Sequence, residues 1–323
     1  MKTTVIGAFP KISDDPGRQE LRRALHRHDR GEIDDAALES VYAATTRAAI
    51  AELEAAGVDV INDGQVRWDD LLAPLARAWE GVSPGPLERY YDNNTYFRQP
   101  VIAGPIRSDG RTLVRDFAFA LSVATTELKA AVCGPLTFAT LAIDRHYRSL
   151  EERTLAVADA LAEEIRGLAS HGVKLVDIED PALVAAPQHI DLAREAYRRL
   201  AVPGVSLAVQ TYFFAADRVV EALGSFPVAQ VGLDLRSRDT AVLQRLAALK
   251  DKTVTLGIVD ARNTRAESRS QLRALVDAAL RIVPSERLWL APTTSLEFVP
   301  YDIARAKLSS LVEAVRDVEG VPA

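Results

Sequence analysis

The feature that most constrains this chain is a set of eight short apolar runs, each of which ends in polar or aromatic residues. The runs cover residues 3–7, 58–62, 128–134, 173–178, 205–212, 230–235, 253–259 and 287–291. Near-continuous apolar runs are typical of parallel strands that are buried on both faces. Helical patterns separate most of the runs, so the sequence predicts an α/β protein with a parallel sheet.

Eight strand–helix units within 323 residues predict a (β/α)8 TIM barrel. The alternative is a doubly wound sheet, but no Gly-x-Gly-x-x-Gly follows the first run and no Gly-x-x-x-x-Gly-Lys occurs. One segment after the second strand, residues 81–112, is rich in Pro, Gly and Tyr and breaks the alternation. We interpret it as an inserted loop or hairpin within a single domain that covers residues 1–323.

Composition excludes several classes of protein. The net charge is −6 and Lys and Arg are scattered between acidic residues, which argues against a nucleic-acid partner. No apolar run is long enough to span a membrane, and the N-terminus reads directly into a strand without a signal sequence. Cys133 is the single cysteine, so the chain cannot form an internal disulfide. We therefore expect a cytoplasmic protein that acts on a small-molecule substrate.

In a barrel of this kind the active site lies at the carboxyl ends of the strands. The residues there that are able to bind or react are Phe9, Asp63, Gln65, Arg67, Thr137, Glu179, Asp180, Gln210, Tyr212, Asp234, Asp260, Arg262, Asn263, Thr293 and Thr294. Together they predict an acidic pocket that also carries amide groups. They do not, by themselves, name a reaction.

Several of these residues have structural alternatives. Glu179 and Asp180 are adjacent on an extended segment, so only one of them can point to the barrel axis. Tyr212 has an alternative role as a packing aromatic, and Gln210 as a core amide bonded to the backbone. Asp234 interrupts an apolar strand and must face the mouth or a partner, because an unpaired buried carboxylate is costly.

Seven of the strand ends, taken in order, resemble the cobalamin-independent methionine synthase family over nearly the whole chain. The matching segments are Ile6-Gly7-Ala8-Phe9-Pro10, Asp63-Gly64-Gln65-Val66-Arg67, Asp92-Asn93-Asn94-Thr95-Tyr96, Gly134-Pro135-Leu136-Thr137-Phe138, Ile178-Glu179-Asp180-Pro181-Ala182-Leu183, Leu256 to Asn263 and Ala291-Pro292-Thr293-Thr294-Ser295-Leu296. In part the chain resembles the first, metal-free barrel of the larger, two-barrel members. The mixture indicates a single-barrel relative.

The resemblance implies methyl transfer from 5-methyltetrahydrofolate to the thiol of homocysteine. Family members ionise that thiol with a zinc ion, which His-x-Cys, a Glu and a second Cys bind. Here Gln210 and Tyr212 stand at the His-x-Cys positions, Asp234 at the Glu position and Thr294 at the second Cys position. Because one carboxylate cannot hold zinc tightly, we expect no standard zinc site.

The resemblance therefore favours a methyltransferase-like enzyme that passes the methyl group to a thiol or another small acceptor without zinc. We assign catalytic roles to Tyr212, Asp234 and Glu179: Tyr212 as acid or base, and the two carboxylates as ligands of a cationic group. Substrate-binding roles fall to Phe9, Asp63, Gln65, Arg67, Thr137, Asp180, Gln210, Arg262, Asn263 and Thr294.

Two alternatives stay open. The first is a non-catalytic barrel that binds folate or an amino acid and works with a separate catalytic subunit. The second is a zinc ion held by Asp234, His146 and residues of a partner. The sequence is also compatible with a homo-oligomer.

Overall fold

The computed structural model describes residues 1–13, 15, 18–91, 93–235 and 240–320, so Asp92 of the Asp92–Tyr96 motif lies outside the described residues. The strands are β1 (Lys2–Thr3), β2 (Val60–Ile61), β3 (Glu80–Arg89), β4 (Tyr96–Arg107), β5 (Glu127–Leu128), β6 (Ala130–Cys133), β7 (Ile143–Asp144), β8 (Leu175–Glu179), β9 (Ser206–Thr211), β10 (Gln230–Asp234), β11 (Thr253–Val259) and β12 (Leu288–Pro292).

The α-helices alternate with these strands over most of the chain. They are α1 (Glu20–Asp29), α2 (Asp35–Ala55), α3 (Ala73–Ala78), α4 (Val114–Val123), α5 (Pro135–Leu141), α6 (Leu150–Ser170), α7 (Ala182–Ala185), α8 (Ile190–Arg199), α9 (Val220–Leu223), α10 (Thr240–Arg245), α11 (Arg269–Leu280) and α12 (Tyr301–Glu319). Within the described ranges, no helix is both long and apolar enough to cross a membrane.

The parallel strands form a barrel, which confirms the fold prediction. Seven of them make one sheet in the order β1, β12, β11, β10, β9, β8 and β6. The remaining strand, β2, closes the gap between β1 and β6: Thr4 pairs with Val60 beside β1, and β2 pairs in parallel with β5. Lys129 separates β5 from β6 and donates its backbone N–H to Ile61 at 2.9 Å. Strands β6, β8 and β10 are buried along their whole length, as their apolar sequences require.

Polar side chains occupy part of the barrel interior below the mouth. Lys129 and Asp177 form a buried ion pair, and the Gln210 side chain donates Nε2–H to Asp177 Oδ1 at 3.1 Å. Gly232 makes room for this amide, because a Cβ at that position would lie 1.6 Å from Gln210 Oε1. Gln210 is therefore directed into the interior and contributes to a polar layer beneath the mouth.

An antiparallel hairpin of β3 and β4 lies between β2 and β5, and β7 extends it by pairing in parallel with β4. Glu164 on α6 holds the base of this hairpin. Its carboxylate accepts hydrogen bonds from Trp79 Nε1 at 3.0 Å, Ser108 Oγ at 2.5 Å and Thr112 Oγ1 at 2.6 Å. Because Glu164 is fully buried, these donors are needed to satisfy it. The hairpin is thus fixed to the barrel wall at one end and reaches the mouth at the other.

Candidate active site

A cavity with about 600 Å³ of empty space, part of it open to solvent, lies at the carboxyl ends of the barrel strands. Five strand ends contribute to it, through Gly7 and Ala8, Gln65, Glu179, Tyr212 and Phe213, and Thr294 and Ser295. The hairpin adds Tyr90, Thr95, Tyr96 and Phe97, and the remaining lining residues are Lys11, Trp68, Asp69, Asp70, Leu71, Glu297 and Phe298. The location is the one expected for the active site of such a barrel.

Glu179 is the centre of the polar part of this cavity. Gln65 donates Nε2–H to Glu179 Oε1 at 2.6 Å, and the Tyr212 hydroxyl donates to Glu179 Oε2 at 2.9 Å. A side chain at Gly7 would lie 3.4 Å from Oε2, and the φ of +68° at Gly7 also favours glycine there. The carboxylate is therefore held from two sides by neutral donors while it lines the cavity.

Burial changes the acid–base properties of this group. Loss of hydration raises the pKa of Glu179 to about 7, although the hydrogen bonds from Tyr212 and Gln65 act in the opposite direction. Burial and the nearby Glu179 charge raise the pKa of Tyr212 well above 10. A role for Tyr212 as acid or base would need a lowered pKa. Tyr212 is therefore suited to stay protonated and donate, while Glu179 changes charge near neutral pH.

Two backbone turns in uncommon conformations position the donors to Glu179. Gln65 has a φ of +49° and donates its backbone N–H to Asp63 Oδ1 at 2.9 Å. Phe213, directly after Tyr212, has a φ of +76° and donates its backbone N–H to Asp234 Oδ2 at 3.2 Å. Non-glycine residues in the left-handed region cluster at functional sites, where the surrounding structure maintains them. Asp63 and Asp234 thus support the turns from which Gln65 and Tyr212 extend.

Glu179 and Asp180 face different surroundings. Glu179 lines the cavity, whereas Asp180 is fully buried and accepts from the Thr137 backbone N–H at 2.8 Å and from Thr137 Oγ1 at 2.6 Å. The Tyr197 hydroxyl donates to its other oxygen at 3.2 Å. These contacts join the ends of β6 and β8, and neither Asp180 nor Thr137 lines the cavity.

The other predicted site residues also lie away from the cavity, with the exception of Thr294. Arg67 pairs with Glu39 and, at 3.6 Å, with Asp116, beside α2 and α4. Asn263 is exposed and donates to Asp260. Phe9 packs on Tyr301 at 5.7 Å between ring centroids, and the Arg262 guanidinium lies 5.2 Å from the centre of the Phe213 ring. Thr294 lines the cavity, and its buried Oγ1 has no hydrogen-bond partner within the described part of the chain.

The four positions at which the resemblance places zinc ligands carry side chains with other partners. Gln210 bonds to Asp177, Tyr212 to Glu179, and Asp234 to the Phe213 backbone, so these three side chains face different partners. Of the four, Asp234 alone carries a carboxylate, and an amide, a phenol and a hydroxyl are poor ligands for zinc. Over the described ranges, no three His, Cys, Asp or Glu side chains converge as metal ligands. His146 lies on an exposed turn after β7.

Sequence reasoning missed several residues of the site. Trp68 lines the cavity, and its buried Nε1–H finds no acceptor among the described residues. Tyr90 belongs to the aromatic insertion, and its hydroxyl lies 3.5 Å from that of Tyr212. The aromatic content of the 81–112 segment was a signal for Tyr90. No signal indicated Lys129 and Asp177, because each interrupts an apolar run without a recognisable motif.

Residues 1–317 match the family model described as the catalytic domain of cobalamin-independent synthase. The methionine synthase of Saccharolobus solfataricus is 28% identical over 323 residues, with 98% of this chain and 95% of that protein covered. The methionine synthase of Sulfurisphaera tokodaii is 26% identical over 322 residues, with 98% of this chain and 92% of that protein covered. The B12-independent methionine synthase of Shewanella sp. W3-18-1, solved with selenomethionine, has a TM-score of 0.85 at 18% identity, covering 99% of this chain and 98% of that one. The chain belongs to the cobalamin-independent synthase family, whose chemistry is methyl transfer.

Proposed function

We propose that this protein transfers a methyl group from 5-methyltetrahydrofolate to a small acceptor held beside Glu179, without a zinc–thiolate. Membership of the family supports methyl transfer. The observation that carries the zinc-free form is the Glu179 carboxylate, which lines the cavity and keeps two neutral hydrogen-bond donors.

Glu179 has the properties that the acceptor atom needs. As an acceptor nitrogen or sulfur takes up a methyl group it becomes positively charged, and a nearby carboxylate stabilises that charge. Where the acceptor atom carries a hydrogen, Glu179 then takes the proton, and its pKa of about 7 suits this transfer. The new bond joins the acceptor atom to the methyl carbon, and the bond between that carbon and N5 breaks. N5 of the folate is protonated before this bond breaks, so the folate leaves as a neutral amine and the positive charge passes to the methylated acceptor.

The lining of the cavity fits a flat polar ligand. Trp68 Nε1 and Thr294 Oγ1 are buried polar atoms without partners among the described residues, and both groups can donate to acceptor atoms of a pterin or of the small substrate. Aromatic side chains such as Phe97, Phe213 and Phe298 form apolar walls. A few directed polar groups within apolar walls are typical of small-molecule sites.

The test is a direct assay of methyl transfer by the purified protein. 5-Methyltetrahydrofolate is incubated with homocysteine, other thiols and small amines, and methylated products are measured by mass spectrometry. We expect product with at least one acceptor, and a loss of at least about 100-fold in Glu179→Gln. Glu195→Gln, an exposed change on α8, is the control that keeps full activity.

The outcomes separate this proposal from its alternative. If 5-methyltetrahydrofolate binds but no acceptor is methylated, even after extract of the source cells is added, the catalytic proposal fails and the protein is a binding barrel. If product appears only with added extract, a separate subunit takes part in catalysis.

A further inference from the structure

Glu179 is a buried carboxylate without a cationic partner among the described residues. Its two hydrogen-bond donors, the Gln65 amide and the Tyr212 hydroxyl, are both neutral. Lys129, whose charge acts on Glu179 from the barrel interior, is paired with Asp177. A buried charge is retained when it is paired, and otherwise its burial is costly. A cation that enters the cavity would supply the missing charge partner and keep Glu179 ionised.

The charges of the cavity lining favour a cationic ligand. Within the described chain, Lys11 is the one Lys or Arg in this lining, and its Nζ lies 3.2 Å from Glu297 Oε1 and also donates to the Trp68 carbonyl. Asp69 and Asp70 line the cavity as well. Lys11 is compensated by Glu297, and Asp69 by Arg77 outside the lining. Glu179 and Asp70 are then the acidic groups of the lining without an ion-pair partner among the described residues, so a cation is attracted to the space beside Glu179.

Aromatic rings form much of the remaining wall. Of the 20 aromatic residues in the chain, seven line this cavity: Trp68, Tyr90, Tyr96, Phe97, Tyr212, Phe213 and Phe298. Three of these are in mutual contact near Glu179, with ring centroids 4.6 Å apart for Tyr212 and Phe213 and 5.7 Å apart for Tyr90 and Phe213. Aromatic faces attract cations, and groups of such rings are the usual binding sites for quaternary ammonium ligands.

The kind of cation follows from the hydrogen bonds already made. A primary ammonium carries three N–H groups that each need an acceptor in a buried site. Each Glu179 oxygen already accepts one hydrogen bond and keeps one further acceptor site, so Glu179 can accept at most two of the three N–H groups. A methylated cation has no N–H to satisfy, and its methyl groups match aromatic walls. The lining is thus better suited to an alkylated cation than to an ammonium.

We infer that the cavity is a binding site for a small methylated cation, a quaternary ammonium or sulfonium compound, with Glu179 as its counter-ion and Tyr90, Tyr212 and Phe213 as surrounding rings. The inference rests on the proposed function, since it names the substrate class of the same cavity. Such a cation is the methylated form of a tertiary amine or a thioether. A thioether has no proton to lose, and a tertiary amine becomes a free nucleophile once its ammonium proton passes to Glu179. Neither acceptor therefore needs a metal to ionise it.

The test compares two ligands of the same shape that differ in charge. Binding of choline and of its uncharged carbon analogue, 3,3-dimethyl-1-butanol, is measured by calorimetry with the full chain, and trimethylsulfonium serves as the sulfur probe. We expect choline and trimethylsulfonium to bind at least about tenfold more tightly than the alcohol. Glu179→Gln should reduce this preference, since the rings remain but the counter-ion is lost. Tyr90→Leu should weaken binding of the cations, and Tyr90→Phe should preserve it because the ring remains.

Equal affinity for choline and the alcohol, or unchanged preference in Glu179→Gln, would overturn the inference. Thermal unfolding of each variant establishes that it is folded. The two proposals fail separately: methyl transfer to thiols or primary amines without any affinity for the cations refutes this inference and leaves the proposed function. Cation binding together with no methyl transfer to any acceptor, tertiary amines and thioethers included, refutes the proposed function and leaves a cation-binding barrel.

Discussion

At the scale of single residues, the cavity depends on one carboxylate and the two side chains that bind it. Gln65 and Tyr212 follow different strands and donate to opposite oxygens of Glu179. Gln65 itself has a positive φ, and Tyr212 directly precedes Phe213, which also has one. Their neutral donors orient Glu179 without supplying a counter-charge. The charge state of Glu179 is therefore open to control by pH and by ligand.

The first prediction concerns the pH dependence of activity. The pKa of Glu179 is raised to about 7, so its carboxylate is protonated below that pH and loses the charge that stabilises the acceptor. We expect kcat/KM for methyl transfer to rise with pH through an apparent pKa of about 7. Glu179→Gln should remove this limb together with most of the activity. A profile that is flat from pH 5.5 to 8.5 in the unaltered protein would contradict the role of Glu179.

The second prediction concerns stability. Because the folded pKa of Glu179 lies above its ordinary value of 4.5, the folded state binds more protons than the unfolded state between the two values. The free energy of unfolding should therefore fall as pH rises across this window, by about 3 kcal/mol from this group. Chemical denaturation at pH 5 and pH 8 measures it, and Glu179→Gln should show a smaller difference. Asp63 and Asp180, both raised to about 6, act in the same direction in both proteins. An equal difference in the two proteins would refute this assignment.

Residue-level roles could be predicted from sequence only in part. Position at a strand end indicated that Glu179 or Asp180 faces the axis, but the choice depends on backbone direction. Thr137 and Tyr197 bind Asp180 from one side and leave Glu179 to the cavity. Arg67 occurs in a motif with Gln65, yet it turns outward to Glu39, because a charged guanidinium is stabilised by acidic partners there.

At the scale of elements, the strands were predictable because each is an apolar run that ends in polar residues, and helical patterns separate most of these runs. The β3–β4 hairpin was not predictable in its placement, since its position depends on contacts with distant parts of the chain. Glu164, 85 residues beyond Trp79, holds the base of the hairpin. At the other end Tyr90 packs against Phe213, and Tyr96 and Phe97 line the cavity. The hairpin thereby connects a structural anchor to the wall of the site.

The third prediction tests this anchor. Glu164→Ala removes the acceptor for Trp79 Nε1, Ser108 Oγ and Thr112 Oγ1, and leaves buried donors without partners. We expect the free energy of unfolding to fall by about 3 kcal/mol. Hydrogen exchange should increase in β3 and β4 first.

The matched control for the anchor is Glu163→Ala. Glu163 is the neighbouring residue on α6, where its exposed side chain pairs with Arg166. An exposed pair of this kind contributes little, so the change should be within about 0.5 kcal/mol. Equal destabilisation by the two substitutions would show that Glu164 is not a specific anchor.

At the scale of the whole molecule, the chain keeps the barrel of its family. The barrel interior consists of apolar strands around one polar layer, in which Asp177 pairs with Lys129 and accepts from Gln210 Nε2. Gln210 thus serves the interior, at a position where the sequence resemblance predicts a metal ligand. The fold depends on the strands, whereas the reaction depends on the side chains at their ends, so the two can vary separately.

The fourth prediction follows from this separation of scaffold and site. Zinc content of the purified protein, measured by mass spectrometry, should be well below one ion per chain, since an amide, a phenol, a carboxylate and a hydroxyl stand at the four positions. The combined substitutions Q210H, Y212C, D234E and T294C supply the donor set of the family and should raise zinc binding to about one ion per chain. The control variant with only Q210H and T294C should bind zinc at least tenfold more weakly, because two ligands do not complete a tetrahedral site. Stoichiometric zinc in the unaltered protein would contradict the prediction. If the variant with all four substitutions is folded but binds no zinc, the backbone does not bring these four positions together as a metal site.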